Sequence, residues 1–239
     1  VRGRVPARPV EEIAEAAARV FMAKGYRGAG ISDVSAALNM SHGAVYTYAR
    51  SKAALLYLAL LRLARPESLA GLEIPVATPA PEEIVAVVDT GAADHSGFSR
   101  LTAAADGRRR HESVAEEFGA IIDELYEFVE RNRRLLALIE RCAPDLPELA
   151  QHYFIQRRRT LLATLGDYLR RHIQSGALRP VPDVPAAARF ITETVAWFAW
   201  HRIDDPDSAM LDGDACRRTV RHLLLAAFLP APDVDTEPT

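Results

Sequence analysis

Apolar residues recur at helical spacing along almost the whole chain, and no segment shows the strict alternation of a half-buried strand. The first stripe is Ile13, Ala16, Ala17, Val20 and Phe21. It predicts a helix that starts at Pro9 or Val10, carries Glu11 and Glu12 where the helix dipole favours acids, and ends at Gly25. A second helix is predicted over Ser32 to Leu38 and a third over Ser41 to Tyr48, both too short to stand without packing. Between them Asn39-Met40-Ser41 reads as a tight turn, because Asn tolerates the left-handed conformation and Ser41 can cap the helix that follows. A fourth helix starts near Ser51 and closes at Pro66. Its Leu55, Leu56, Leu58, Leu61 and Leu63 lie nearly all round it, which predicts burial on several sides, as in an element joining two domains.

The pattern then changes. Leu69 to Pro81 holds Pro75, Pro79 and Pro81 and reads as a connection without a helix of its own. Pro81 opens a fifth helix with Ile84, Val87, Val88 and Gly91 on one face, and Phe98 to Ala105 is a short one. Asp106 to Glu112 reads as a loop whose arginines are solvated. Long helices are predicted over Ser113 to Cys142 and Glu148 to Ser175, the second ending at Gly176. Two more follow, from Pro182–Pro185 to Arg202 and from Asp214 to Leu229, the last with Cys216, Val220, Leu223, Leu224 and Ala227 inward. The expected fold is all-α. An N-terminal three-helix helix-turn-helix domain over 1–58 precedes a larger helical domain over 59–230, and 231–239 is a disordered tail.

Two short helices across a tight turn form a helix-turn-helix, whose second helix enters a DNA major groove. Small and polar residues at its start, Ser41, His42, Gly43 and Ala44, let a backbone approach base edges. The stretch from Val10 to Leu61 resembles the N-terminal domain of TetR-family transcriptional regulators. The resemblance rests on Ala16, Ala17, Val20 and Phe21, on Gly25-Tyr26, and on the run AVYTYARSK with its Tyr46…Lys52 spacing, the Ser51-Lys52 pair and Leu55. Where the family often has Thr-Thr this chain has Gly30-Ile31, so the hydroxyl of that pair passes to Ser32; Asn39, Tyr48 and Ala49 also depart from the usual residues. The resemblance implies that Ser41, His42, Gly43, Ala44 and Thr47 approach bases while Tyr46, Tyr48 and Lys52 touch phosphates. It implies a body shaped as a helical cage for a small effector, and a homodimer formed through the helices near 148–175 and 184–202. It also implies a palindromic operator in double-stranded DNA, with half-sites about one helical turn apart.

Charge sharpens this picture. The 239 residues carry a formal net charge of −3, but residues 1–65 hold ten Lys and Arg against four Asp and Glu. A basic head on an acidic body is the footprint of a DNA-binding module attached to something else. Arg2, Arg4 and Arg8 form either an arm for phosphates or the minor groove, or a plain basic terminus. At 49% hydrophobic and 26% charged the chain is globular, and no apolar run approaches the roughly 18 residues of a membrane span. A cytoplasmic protein is expected, with Cys142 and Cys216 as core residues rather than a disulfide or metal pair.

Three further sets of residues bear on chemistry. Tyr126, Tyr153, Trp197 and His201 are large, partly polar side chains on apolar helices and are candidate effector contacts, each also compatible with plain core. Arg157, within Arg157–Arg159, is a candidate for an acidic effector if it faces inward. The helix at 184–202 carries two stripes, Phe190, Thr194, Trp197, His201 and Ile191, Val195, Phe198, Arg202; one faces its own core and the other needs a partner. The histidines are scattered, with no HExxH, phosphate loop or serine elbow, and Asp94-His95-Ser96 is no triad because sequential neighbours do not face one another. No enzyme, cofactor or metal is expected. The function expected is a sequence-specific transcriptional regulator, a repressor released by a small-molecule effector; the alternative is an effector-independent architectural DNA-binding protein.

Overall fold

A computed structural model describes residues 8–93, 98–107 and 113–231. The arm residues Arg2 and Arg4, the Asp94-His95-Ser96 stretch, the arginines at 108–110 and the tail at 232–239 lie outside the described residues. The helices are α1 (Val10–Gly28), α2 (Ile31–Ala37), α3 (His42–Val45), α4 (Lys52–Ala64), α5 (Pro81–Ala93), α6 (Ser99–Ala105), α7 (Val114–Cys142), α8 (Pro147–Ala150), α9 (Arg159–Gln174), α10 (Val184–Ala199) and α11 (Gly213–Phe228). The fold is all-α: among the described residues the sheet-like pairing is a single parallel bridge between Ala49 and Val76. None of the described helices is long and apolar enough to cross a membrane. The chain forms two compact units, one of Val1–Gly97 with Asn132–Arg157 and one of Phe98–Arg131 with Arg158–Thr239. The boundary read from sequence after residue 58 falls inside α4.

In the first unit, α1 presents a smooth face of Ala14, Ala16, Ala17 and Ala18, all buried with Ile13 and Phe21. Small side chains let a second helix approach closely. That helix is α4, whose Ala54, Leu55, Leu56, Leu58, Ala59, Leu60 and Leu61 are buried, with α5 packed against it as well. The all-round apolar character of α4 therefore reflects its place at the centre of this unit. Gly25 interrupts α1 with φ of 73°, and a Cβ there would stand 3.2 Å from the Arg141 carbonyl oxygen, so both backbone and space require glycine. Cys142 is buried in the same core, which pushes its thiol up to about 12.

The first turn of α2 is fastened by Asp33, which accepts from the Gly30 amide at 2.8 Å and pairs with Lys24 at 2.6 Å. The hydrogen bond from Lys24, then that from Gly30, holds the Asp33 carboxyl below the usual aspartate range. A lowered folded value means that this fastening is fully present above the ordinary pKa of about 3.9 and is lost only as pH falls through the lower folded value. An NMR titration of the Gly30 amide is expected to show a midpoint below that of a free aspartate, and Asp33→Asn to abolish the transition.

In the second unit, Phe118, Ile121, Ile122 and Leu125 of α7 meet Leu165, Tyr168 and Leu169 of α9, Ile191 and Val195 of α10, and Val220, Leu224 and Phe228 of α11. Phe118 stacks on Tyr168 at 6.0 Å between centroids and meets Phe228 edge-on at 5.6 Å. Two expectations are corrected here. Leu223 and Ala227 point outward, because α11 buries the stripe Cys216, Val220, Leu224 and Phe228 at four-residue spacing. The helix expected over Glu148 to Ser175 is not uniform: Gln151–Arg158 is π-helical between α8 and α9. Buried Arg202 holds the end of α10, donating from Nε to the Phe198 carbonyl at 2.7 Å and from a terminal nitrogen to the Leu211 carbonyl at 2.8 Å.

Candidate nucleic-acid interface

The turn between α2 and α3 forms as its residues predict. Asn39 adopts φ of 51°, and the Ser41 hydroxyl accepts from the Ala44 amide at 3.2 Å. α3 is one turn long, and among its four residues Val45 is the buried anchor. Ser41, His42, Gly43 and Thr47 are exposed and Ala44 is half-buried, so the small and polar members of the expected base-reading set share an open face. A Cβ added to Gly43 would meet nothing within 4 Å. Tyr46 is 43% exposed and its ring lies edge-on to His42 at 5.4 Å. Ser32 is exposed on α2, where its carbonyl accepts from the Ser35 hydroxyl at 2.9 Å.

Tyr48 and Lys52 are placed differently from the expectation that both touch phosphates. Tyr48 stands three residues beyond buried Val45, its amide donating to the Val45 carbonyl at 2.9 Å, and its ring lies in the core at 1% exposure. Its hydroxyl accepts from the Arg8 amide at 2.8 Å and donates to the Arg8 carbonyl at 3.0 Å. Lys52 reaches back to α1: its ammonium donates to the Ala29 carbonyl at 2.9 Å and the Arg27 carbonyl at 3.3 Å, 4.6 Å from the Tyr26 ring centroid. A cation at the end of a helix complements its exposed carbonyls. Lys52 thus clamps the end of α1 to the start of α4.

The connection after α4 was not legible as part of this site. Residues 72–78 run beside the exit of α3, where the Val76 amide donates to the Tyr48 carbonyl at 2.7 Å and the Arg50 amide to the Val76 carbonyl at 2.9 Å. The Thr78 hydroxyl donates to the Ser51 hydroxyl at 2.9 Å, and Ser51 in turn caps α4 by accepting from the Ala54 amide. A depression of about 410 Å³ lies elsewhere on this unit, lined by Glu11, Glu12 and Glu15 among arginines and Asn39. Its carboxylates make it a poor seat for a phosphate.

The five candidate effector contacts are divided between the units. In the second unit Tyr126 is buried, and its hydroxyl donates to the Phe198 carbonyl at 3.2 Å. Burial, and next the neighbouring Cys216, pushes its phenol up. Trp197 lies with Phe190 on the exposed side of α10, while Ile191 and Val195 face the core; just beyond the helix His201 is exposed and Arg202 buried. In the first unit the Tyr153 hydroxyl donates to Glu140 at 3.1 Å, and Arg157 pairs with Asp89 at 2.7 Å. His152, beside them on the π-helical turn, stands 3.1 Å from the same Asp89 carboxylate.

Residues 13–57 match the family model of bacterial regulatory proteins of the tetR family. Among solved structures, the ketosteroid transcriptional regulator KstR2 of Mycobacterium tuberculosis is similar with a TM-score of 0.59 at 18% identity, over 96% of this chain and 98% of that one. A tetR-family regulatory protein from Rhodococcus RHA1 gives 0.53 at 20% identity, over 95% and 100%. AibR, solved with isovaleryl coenzyme A and operator DNA, gives 0.54 at 18% identity, over 92% and 100%. A comparison with curated proteins finds no match. At these identities the solved structures speak for the fold, and the N-terminal match speaks for the module. Residues 13–57 thus carry the N-terminal module of the tetR family of bacterial regulatory proteins, and the chain as a whole shares the fold of these solved structures.

Proposed function

We propose that the chain is a homodimeric repressor that binds a palindromic operator and is released by a small-molecule effector. The observation that carries the DNA reading is the open face of Ser41, His42, Gly43 and Thr47 on a helix held from behind by Val45. Ser41, His42, Gly43, Ala44 and Thr47 approach bases in this reading and Tyr46 approaches phosphate, with Ser32 beside them. His42 is the long polar side chain of the set, so groove shape carries much of the specificity. The dimer reading is supported by the exposed Phe190 and Trp197 on α10. The effector reading has a precedent in AibR, a structure of this fold solved with both a coenzyme A thioester and its operator. An effector that prefers wide-set heads weakens operator binding by its differential affinity for that state and by no more.

Selection of random duplex DNA on the purified protein at near-physiological salt tests the reading. Enrichment of a palindrome with half-sites about one turn apart is the expected result. A pool without a motif, bound only at low salt, would instead favour an architectural DNA-binding protein.

Gly43 offers a second check. Gly43→Ala is expected to stabilise the head by about 0.5–1 kcal/mol, since alanine is the better helix former and its methyl meets open space. The same methyl stands where the backbone approaches a base, so operator affinity is expected to fall as stability rises. Urea unfolding and fluorescence anisotropy on one sample set read both changes.

A further inference from the structure

We propose that Arg50 is a phosphate-binding residue of this chain, positioned by the strap of residues 72–78. The inference rests on the DNA-binding reading above and deepens it. The cations of the head are mostly committed: Arg8 pairs with Glu12, Lys24 with Asp33, Arg27 with Asp145 and Arg62 with Glu15. Lys52 is held by two carbonyl oxygens of the α1 end, and the Tyr48 hydroxyl by the Arg8 backbone. On the turn that leaves α3, Arg50 is exposed and has no ion-pair partner among the described residues. It follows the exposed Tyr46 and Thr47 and immediately precedes Ser51, the N-cap of α4. A free guanidinium beside a base-reading face is the group suited to a phosphate oxygen, which it can hold with two parallel donors.

A cation on a loose turn would lose much of that benefit to ordering. Here the turn is not loose. α3 is too short to fix its own exit, and the backbone from Tyr48 to Arg50 is fixed from outside by the two hydrogen bonds to Val76, with Ala49 buried between them. The Thr78–Ser51 contact fastens the next residue. The strap sets where the Arg50 side chain starts, so the guanidinium is presented from a rigid base.

The test measures binding of the full-length protein to a labelled random-sequence duplex by anisotropy, between about 50 and 200 mM salt, where phosphate contacts dominate. Arg50→Ala is expected to weaken binding about tenfold and to lower the slope of log K against log salt by about 0.9 for each bound copy. Arg50→Lys keeps the charge and is expected to keep the slope. Arg218→Ala, an exposed cation on α11, controls for net charge and is expected to leave the slope unchanged. Val76→Pro removes the strap's amide donor, while Val76→Ala keeps it. The proline variant should lower the slope as Arg50→Ala does, and the two changes combined should lower it no further. Thermal melting of each variant separates this from loss of fold. A wild-type slope in Arg50→Ala, or an equal loss in Arg218→Ala, overturns the Arg50 phosphate contact while leaving DNA binding intact. Additive slope losses in the double variant overturn the positioning by the strap. Absence of duplex binding by the wild-type chain would overturn the DNA-binding reading itself.

Discussion

Replacing Phe190 and Trp197 together by glutamate is expected to yield a folded monomer whose operator affinity is lower by about 10²- to 10⁴-fold, the benefit that linking two binding modules confers. The two residues are seven apart on α10, 58% and 38% exposed, and on the opposite side from buried Ala188, Ile191, Val195 and Ala199. Leu223 is also exposed on α11, which packs against α10. Large apolar groups gathered on neighbouring helices mark an interaction surface. A two-fold axis through such a face makes it complementary to itself and fixes the spacing of two reading heads. Four negative charges facing one another across the axis would prevent that contact. Neither residue belongs to the buried core, so the melting temperature of the variant should stay near that of the parent at low concentration. Light scattering after gel filtration reads the mass and anisotropy reads the affinity. A variant that remains dimeric would show that the copies meet through another face.

Leu58→Ala is expected to destabilise the first unit by about 2–5 kcal/mol, at the upper end of that range. Leu58 is fully buried in the middle of α4, with Leu55, Leu56, Leu60 and Leu61 also buried around it. The cost of a deleted side chain grows with the cavity left behind, and α4 has little freedom to collapse because α1 and α5 both pack on it. The alanine face of α1 has no long side chain that could fill the gap. Operator binding should fail along with the fold of the head. Leu223→Ala, the same chemical change at an exposed position, should shift stability by less than about 0.5 kcal/mol. Urea unfolding followed by circular dichroism compares the two directly. A loss below about 1 kcal/mol for Leu58→Ala would contradict the packing assigned to α4.

Helical periodicity carried most of the fold, because a long stripe repeats its evidence at every turn. Ile13, Ala16, Ala17 and Phe21 on α1 are buried where that repetition placed them, with Val20 half-buried beside them. Asn39 was legible for a different reason, since few residues accept a positive φ at low cost. The errors lie where a helix is short or departs from 3.6 residues per turn. The resemblance puts Tyr48 at a phosphate, whereas its three-residue spacing from Val45 puts it on the buried side of this short helix. The run Leu223 to Leu225 offers three leucines in succession, and only packing decides that Leu224 is the buried one. The π-helical turn at Gln151–Arg158 has no apolar repeat to announce it. Neither the clamp of Lys52 on the α1 carbonyls nor the pairing of Val76 with the reading turn could be read, because both join residues more than twenty positions apart through backbone groups that every sequence possesses.

The vacancy around Gly43 bears on how such a regulator diversifies. Val45 anchors α3, whereas Ser41, His42, Gly43 and Thr47 project away from the core. In the proposed reading, substitutions on that outer side alter what the helix presents without disturbing what holds it, and a Cβ at Gly43 meets open space. Target choice and foldability are thus inherited through separate residues of the same short helix.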